Sequence, residues 1–265
     1  MKIIKIKEWS FEQSKDPVAT EETVSKKLNN IIEELSDDFN YVELPICWLL
    51  NNKGVEFTQQ VLDQIEERIK DTKIYVCQHI LVNRLNFHDN VVYTPHATSK
   101  DNFRVIPHYN PCVEKHNYIP VENRKYHFSF MGSFHTHSLR PQLQRVSGKG
   151  VLIENTGQWH FQKKDREQQT KRYVDVLCDT KFALCPPGTG PSTIRLYEAM
   201  AAGCVPVVFN DVKIPEVMDP YVVRITTIDE LVNLTQGCID INYMKIHELY
   251  WRYLSNDVYY QLIHK

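Results

Sequence analysis

The stretch KFALCPPGTGPSTIRLYEAMAAGCVPVVFN, residues 181–210, concentrates groups that bind oxyanions. Prolines end an apolar run, Gly188 and Gly190 let the backbone approach a ligand closely, and Ser192 or Thr193 stands where a helix would be capped. A helix starting there turns unpaired N–H groups and a partial positive charge toward whatever lies in front of it, which suits a phosphate or diphosphate. Arg195 falls in the first turn and can add a bidentate contact to phosphate oxygens. Glu198, three residues on, shares its face and can accept hydrogen bonds from a ribose diol. The same pair at i, i+3 can equally form an ordinary surface ion pair. Two named phosphate loops fit poorly, because the glycines do not complete GxGxxG and no lysine follows them as a Walker loop requires.

A second loop, FMGSFHTHSLR, has the same character. Gly132 and Ser133 end a strand-like run, His135 and His137 can donate to phosphate or sugar, and Arg140 follows in the next helical segment. Solvated loop histidines are the plainer reading of His135 and His137.

These loops must be carried by strands and helices, and the two alternate along the whole chain as in an α/β protein with largely parallel sheets. Strand patterns fall at residues 2–6, 41–47, 73–78, 91–94 and 103–106, with helical periodicity at 20–38 and 57–71. The proline-broken segment PHYNPCVEKHNYIPVENRK separates the halves, giving domains of residues 1–120 and 121–265. The second half repeats the alternation: KYHFSFMG, GKGVLIENTG, KFALCPPG and VPVVFND as strands, REQQTKRYVDVLCDT, STIRLYEAMAAG, IDELVNLTQ and the C-terminal segment as helices.

The 265 residues are 42% hydrophobic and 24% charged, enough apolar material for a sizeable core. A formal net charge of -2 gives no overall attraction to nucleic acid or anionic membrane, so any anion site is local. Seven cysteines without a CxxC pair favour buried thiols over a disulfide frame or zinc site. No apolar run approaches the ~20 residues of a membrane helix, and the N-terminus lacks a signal-like stretch. A soluble, cytoplasmic protein without membrane insertion is therefore expected.

Taken together, the CPPG strand end, the arginine-bearing helix start and EAMAAGCVPVVF resemble the exostosin family of glycosyltransferases. FRVIPHYNP, NRKYHFSFMGSFHTHSLRPQL and RYVDVLCDTKFALCPPG resemble further family segments in the right order, so the likeness covers roughly residues 100 to 225. Thr193-Ile194-Arg195 replaces the usual Ser-Pro-Arg. The compact length resembles the soluble exostosin-like enzymes of large algal DNA viruses. The resemblance implies a GT-B architecture, two Rossmann-like domains facing across a cleft, with the C-terminal one holding a UDP-sugar. It implies inverting transfer to a glycan acceptor with no metal or other cofactor, and a weak lean to xylose as the sugar. In that frame Gly132, Ser133, His135, His137, Arg140, Pro187, Gly188, Gly190, Ser192, Thr193, Arg195 and Glu198 line the donor. No DxD triplet occurs in the chain, so helix dipole, arginines and turn N–H groups would neutralise the diphosphate.

Inverting transfer needs a base to take the acceptor hydroxyl proton, expected at a C-terminal strand end of the first domain. His79, His96 and Asp101 stand at such places, and Trp48 and Tyr109 can stack against sugar rings. Structural histidines and core aromatics are the plain alternatives. A non-catalytic sugar-nucleotide or glycan-binding partner of another transferase is the rival function. A Rossmann oxidoreductase is disfavoured by the missing GxGxxG.

Overall fold

The computed structural model describes residues 2–5, 39–69, 72–77, 79–87, 90–93, 103–104, 113, 119–157, 166–190, 192–214, 216–234, 245–248 and 250. The chain divides into two compact units, Met1–Tyr109 with Tyr253–Lys265, and Asn110–Arg252. Among the described residues each carries a five-stranded, all-parallel sheet, in keeping with the α/β alternation.

In the first unit β1 (Lys2–Lys5), β2 (Phe39–Glu43), β3 (Thr72–Val76), β4 (Asn90–Tyr93) and β5 (Phe103–Arg104) lie side by side in chain order. Helix α1 (Ile46–Arg68) buries Thr58, Val61, Leu62 and Ile65 at helical spacing against a core that includes Val42, Leu44, Tyr75, Val82 and Leu85. The strand expected over 41–47 stops at Glu43, and α1 starts at once after Pro45. A run such as PICWLL fits a buried strand or a buried helix equally, and the proline, which fixes its own φ, stands at the helix cap. Gly54, at φ 84° and ψ 176°, interrupts α1 and lets its two halves take different directions. The helical pattern at 20–38 lies outside the described residues.

The second unit contains β6 (Tyr126–Gly132), β7 (Val151–Asn155), β8 (Thr180–Cys185), β9 (Val205–Phe209) and a short β10 (Val223–Ile225). Their spatial order is β7-β6-β8-β9-β10. The chain steps outward from β6 to β7, then returns past β6 to β8 and continues the other way. Because parallel crossovers are right-handed, the connections before and after that reversal cover opposite faces. The reversal leaves a crevice beyond the C-terminal ends of β6 and β8, the place where doubly wound sheets bind ligands. Strands β8 and β9 are buried almost throughout, as central strands covered on both faces must be.

Helices α2 (Leu139–Gln142), α3 (Arg166–Cys178), α4 (Ile194–Ala201) and α5 (Ile228–Leu234) belong to this unit, as do the helical residues 245–248. Helix α4 buries Leu196, Tyr197, Ala199 and Met200, and Gly203, at φ 69°, turns the chain into β9. The five described cysteines are all buried thiols. Among the described residues no helix is long and apolar enough to cross a membrane.

One buried side chain ties these pieces together. Arg124, 4% exposed, donates from Nε to the Ile119 carbonyl at 2.8 Å, and from Nη1 to those of Thr180 at 2.8 Å and Gly203 at 2.9 Å. Its Nη2 donates to the Ala202 carbonyl at 3.0 Å. The guanidinium thus joins the approach to β6, the start of β8 and the negative end of α4. Arg124→Met fills the space but abandons these carbonyls; a loss on the order of 3 kcal/mol is expected in urea unfolding. Arg124→Lys should recover less than half of it, since one ammonium cannot reproduce the planar fork.

Candidate donor site at the sheet reversal

The crevice beyond β6 and β8 is lined by the two loops singled out in the sequence. At the β6 exit, Asn155 Oδ1 accepts the N–H groups of Phe134 at 3.1 Å and Gly157 at 3.0 Å. Thr156 N–H donates to the Gly132 carbonyl at 3.1 Å, so the β6 and β7 exits are pinned to each other. Ser133 Oγ accepts the His135 N–H at 3.3 Å and holds a short 3-10 turn, Phe134–Thr136.

Arg140 spans the reversal. Its Nη1 donates to the Ser133 carbonyl at 3.1 Å and its Nε to the Pro187 carbonyl at 2.9 Å, joining the β6 and β8 exits. Its guanidinium lies 5.5 Å from the Phe130 ring centroid, and that of Arg195, from the first turn of α4, lies 4.6 Å from the same centroid. Arg195 is also 5.0 Å from the ring centroid of Tyr173 on α3. Burial, then the neighbouring charge of Arg195, pulls the Arg140 pKa down to about 10, which leaves it cationic at neutral pH. Among the described residues neither guanidinium forms an ion pair.

The glycines make room for this pair. A Cβ on Gly132 would sit 3.0 Å from Phe130 Cζ and 3.3 Å from Arg195 Nη2, and one on Gly188 would sit 3.2 Å from Arg140 Nη2. Thr193 stands at the cap position of α4 with no side-chain cap bond. The cap expected from Ser192 or Thr193 is therefore not made by Thr193; its side chain and that of Ser192 are buried. The helix start thus has no threonine oxygen across it and keeps its positive end toward the crevice.

Glu198 does not pair with Arg195. Its carboxylate, 7% exposed, accepts the Tyr173 hydroxyl instead. Burial keeps the Tyr173 phenol well above its ordinary pKa, so it remains the donor. His137 Nδ1 accepts the Leu139 N–H at 3.2 Å, leaving Nε2 as the face available to a ligand, and His135 is exposed. Gly190 is half-buried in the turn before α4. Neither Phe130, the ring on which both arginines rest, nor Asn155 was singled out from sequence. An aromatic two residues before a strand-terminal Gly is the one local signal for Phe130.

Of the residues expected on the acceptor side, His79 and Trp48 are described, whereas His96, Asp101 and Tyr109 lie outside the described residues. His79 follows β3 and caps the 3-10 turn Ile80–Arg84: its Nδ1 accepts the Leu81 N–H at 3.0 Å. That fixes the proton of the neutral ring on Nε2, which faces Asn51 Oδ1 at 2.6 Å. Trp48 is half-buried in the first half of α1.

A parallel sheet with one reversal thus brings two arginines, a shared phenylalanine ring and the start of α4 together at the crevice of an α/β unit. The chain belongs to the exostosin GT47 domain family, whose model matches residues 61–224. It is 30% identical over 101 residues to human ribitol-5-phosphate xylosyltransferase 1, covering 37% of this chain and 23% of that protein. It is 27% identical over 135 residues to the probable glycosyltransferase At5g03795 of Arabidopsis thaliana, covering 44% and 25%. The matched stretches thus span about a quarter of these relatives. Among solved structures, WaaG, a glycosyltransferase involved in lipopolysaccharide biosynthesis, aligns over 96% of this chain and 90% of its own, with 8% identity and a TM-score of 0.37.

Burial lowers the pKa of His79 below its ordinary 6.5. The unfolded chain then binds the proton that the folded one resists, so this contribution to stability is present above about pH 6.5 and fades as pH falls through the folded value. His127 and His247 are shifted the same way. The urea midpoint should fall between pH 7 and pH 5, and His79→Gln should flatten that slope.

Proposed function

We propose that this chain is an inverting, UDP-sugar-dependent glycosyltransferase that delivers one sugar to a hydroxyl of a glycan acceptor. The observation that carries this reading is the convergence of Arg140 and Arg195 on Phe130 at the sheet reversal, without an ion-pair partner for either among the described residues. Membership of the exostosin family and the names of its relatives support it.

In this reading the two guanidinium groups and the start of α4 take the diphosphate, whose charge grows as the bond to the anomeric carbon breaks. Fixed donors at that point stabilise the departing UDP more than the bound donor, and so accelerate transfer without a metal being required. Gly132, Gly188 and Gly190 let backbone approach the phosphates, Ser133, Ser192, Thr193 and Pro187 shape the loops, and His135 and His137 donate to phosphate or sugar. Glu198, oriented by Tyr173, accepts from the ribose. The human relative's name supports xylose as the transferred sugar.

The base comes from His79, His96 or Asp101, with Trp48 and Tyr109 against the acceptor. To take a proton, His79 must release the Leu81 N–H or exchange its Nε2 proton past Asn51. Its pKa, lowered by burial, makes it a weaker base than a free imidazole.

Release of UDP from a panel of UDP-sugars, with and without glycan acceptors, tests the whole reading. One donor should be hydrolysed slowly without acceptor, and Arg195→Ala should lower kcat/KM by about a hundredfold. Wild-type kinetics in that variant remove Arg195 from the site. Substituting His79, His96 and Asp101 singly by Ala should collapse kcat in one case with UDP affinity kept; UDP binding by all three, with the activity of a complex with another transferase unchanged, would favour a non-catalytic binding partner over an enzyme. Gly132→Ala supplies an independent check: the added methyl presses on the Phe130 ring and on the Arg195 guanidinium that rests on it, so UDP should bind about tenfold more weakly, with some fall in Tm.

A further inference from the structure

Arg195 and Glu198 are three apart on one helix, the spacing at which a guanidinium and a carboxylate ordinarily find each other. Such a pair would cancel the charge that the diphosphate needs and occupy N–H groups that would otherwise reach phosphate oxygens. The structure shows a different arrangement. Tyr173, from α3, lays its ring 5.0 Å from the Arg195 guanidinium and gives its hydroxyl to Glu198 Oε2. One side chain therefore touches both members of the potential pair and satisfies each by a different part.

We propose that Tyr173 is a positioning residue that holds Glu198 off Arg195 and so keeps the arginine's charge available to the diphosphate. The proposal rests on Arg195 as a diphosphate ligand, the reading given above. A buried carboxylate cannot lose a hydrogen-bond donor without cost, and at 7% exposure Glu198 has little water to turn to. Arg195 stands three residues back on the same helix face, within reach of a carboxylate that the phenol no longer holds. The Tyr173 hydroxyl is a neutral donor, so it satisfies the carboxylate and leaves the charge of Arg195 intact. Its ring meanwhile offers a π-face, which attracts the cation without competing for its N–H groups in the ring plane. With Phe130 4.6 Å from the same guanidinium, Arg195 is oriented by two rings and, among the described residues, by no carboxylate.

Titration calorimetry with inorganic pyrophosphate and with UDP separates this from an ordinary packing role, because pyrophosphate presents the diphosphate without the ribose. Tyr173→Phe should weaken pyrophosphate binding about tenfold, the effect of one charge-assisted contact. Adding Glu198→Gln to that variant should restore affinity to within about twofold of wild type, since an amide cannot neutralise a guanidinium; loss of packing would not be rescued this way. Glu198→Gln alone should weaken UDP more than pyrophosphate. Wild-type pyrophosphate affinity in Tyr173→Phe, or a loss that persists in the double variant, overturns the proposal. Should Tyr173→Phe fail to fold, Glu198→Gln alone decides: pyrophosphate binding tightened about tenfold would mean that the carboxylate already sits on Arg195, and no such tightening sustains the proposal. If the wild-type chain binds neither UDP nor pyrophosphate, the donor-site reading itself fails; if it binds both and the cycle is additive, only the role of Tyr173 does.

Discussion

The second unit is organised around two positive charges that repel each other across one phenylalanine ring. Burial, and then the nearness of Arg195, pulls the Arg140 pKa down, and no carboxylate among the described residues forms an ion pair with either. Other contacts hold the pair in place. Arg140 is fixed by the Ser133 and Pro187 carbonyls, and Arg195 by the faces of Phe130 and Tyr173. Glycine at positions 132 and 188 follows from the same requirement, because a methyl at either would meet guanidinium nitrogen. In the proposed reading such an arrangement is electrostatically incomplete until an anion enters, and that incompleteness is what suits it to a diphosphate.

The precision of the cluster depends on anchors at some distance from it. Helix α4, about 12 Å long at 1.5 Å per residue, carries Arg195 at its start and is held at its end by Arg124 through the Ala202 and Gly203 carbonyls. Because Arg124 also holds the Thr180 carbonyl at the start of β8, the strand and the helix that define the crevice share one fixed point. The buried face of α4, Leu196, Ala199 and Met200, then prevents rotation about its axis. A side chain at the far end of α4 thus helps to set where Arg195 points.

The strands of the second unit were legible because they are apolar runs bounded by glycine, proline and polar breakers, the pattern of buried parallel strands. At PICWLL the same apolarity was ambiguous, and the chain takes the helix that Pro45 permits. The three-residue β10 is too short to carry a period and is defined only by its pairing with β9. Within the site, spacing placed Arg195 and Glu198 on one face but could not choose their partners. Tyr173, 25 residues before Glu198, makes that choice through tertiary packing. Likewise Arg140 reaches the Pro187 carbonyl across 47 residues, and no local pattern encodes a side chain bonding to a distant main-chain oxygen. Residue types at the site were readable; the geometry that separates an ion pair from an anion site was not.

A chain of net charge -2 exerts no long-range attraction on a nucleotide sugar, so recognition by the arginine cluster is confined to about a Debye length, ~8 Å at physiological salt. In the proposed reading the cluster meets, within that range, the diphosphate that every UDP-sugar shares, and Glu198 meets the ribose that they also share. In the proposed reading neither contact can distinguish xylose from a hexose. Choice of sugar must then come from groups that meet its hydroxyls or exclude its C6 substituent, beyond the reach of Arg140 and Arg195. On that reading the two arginines account for leaving-group stabilisation and donor affinity, and leave selectivity to a separate set of residues. Donor identity and catalytic competence can therefore vary independently on the same scaffold.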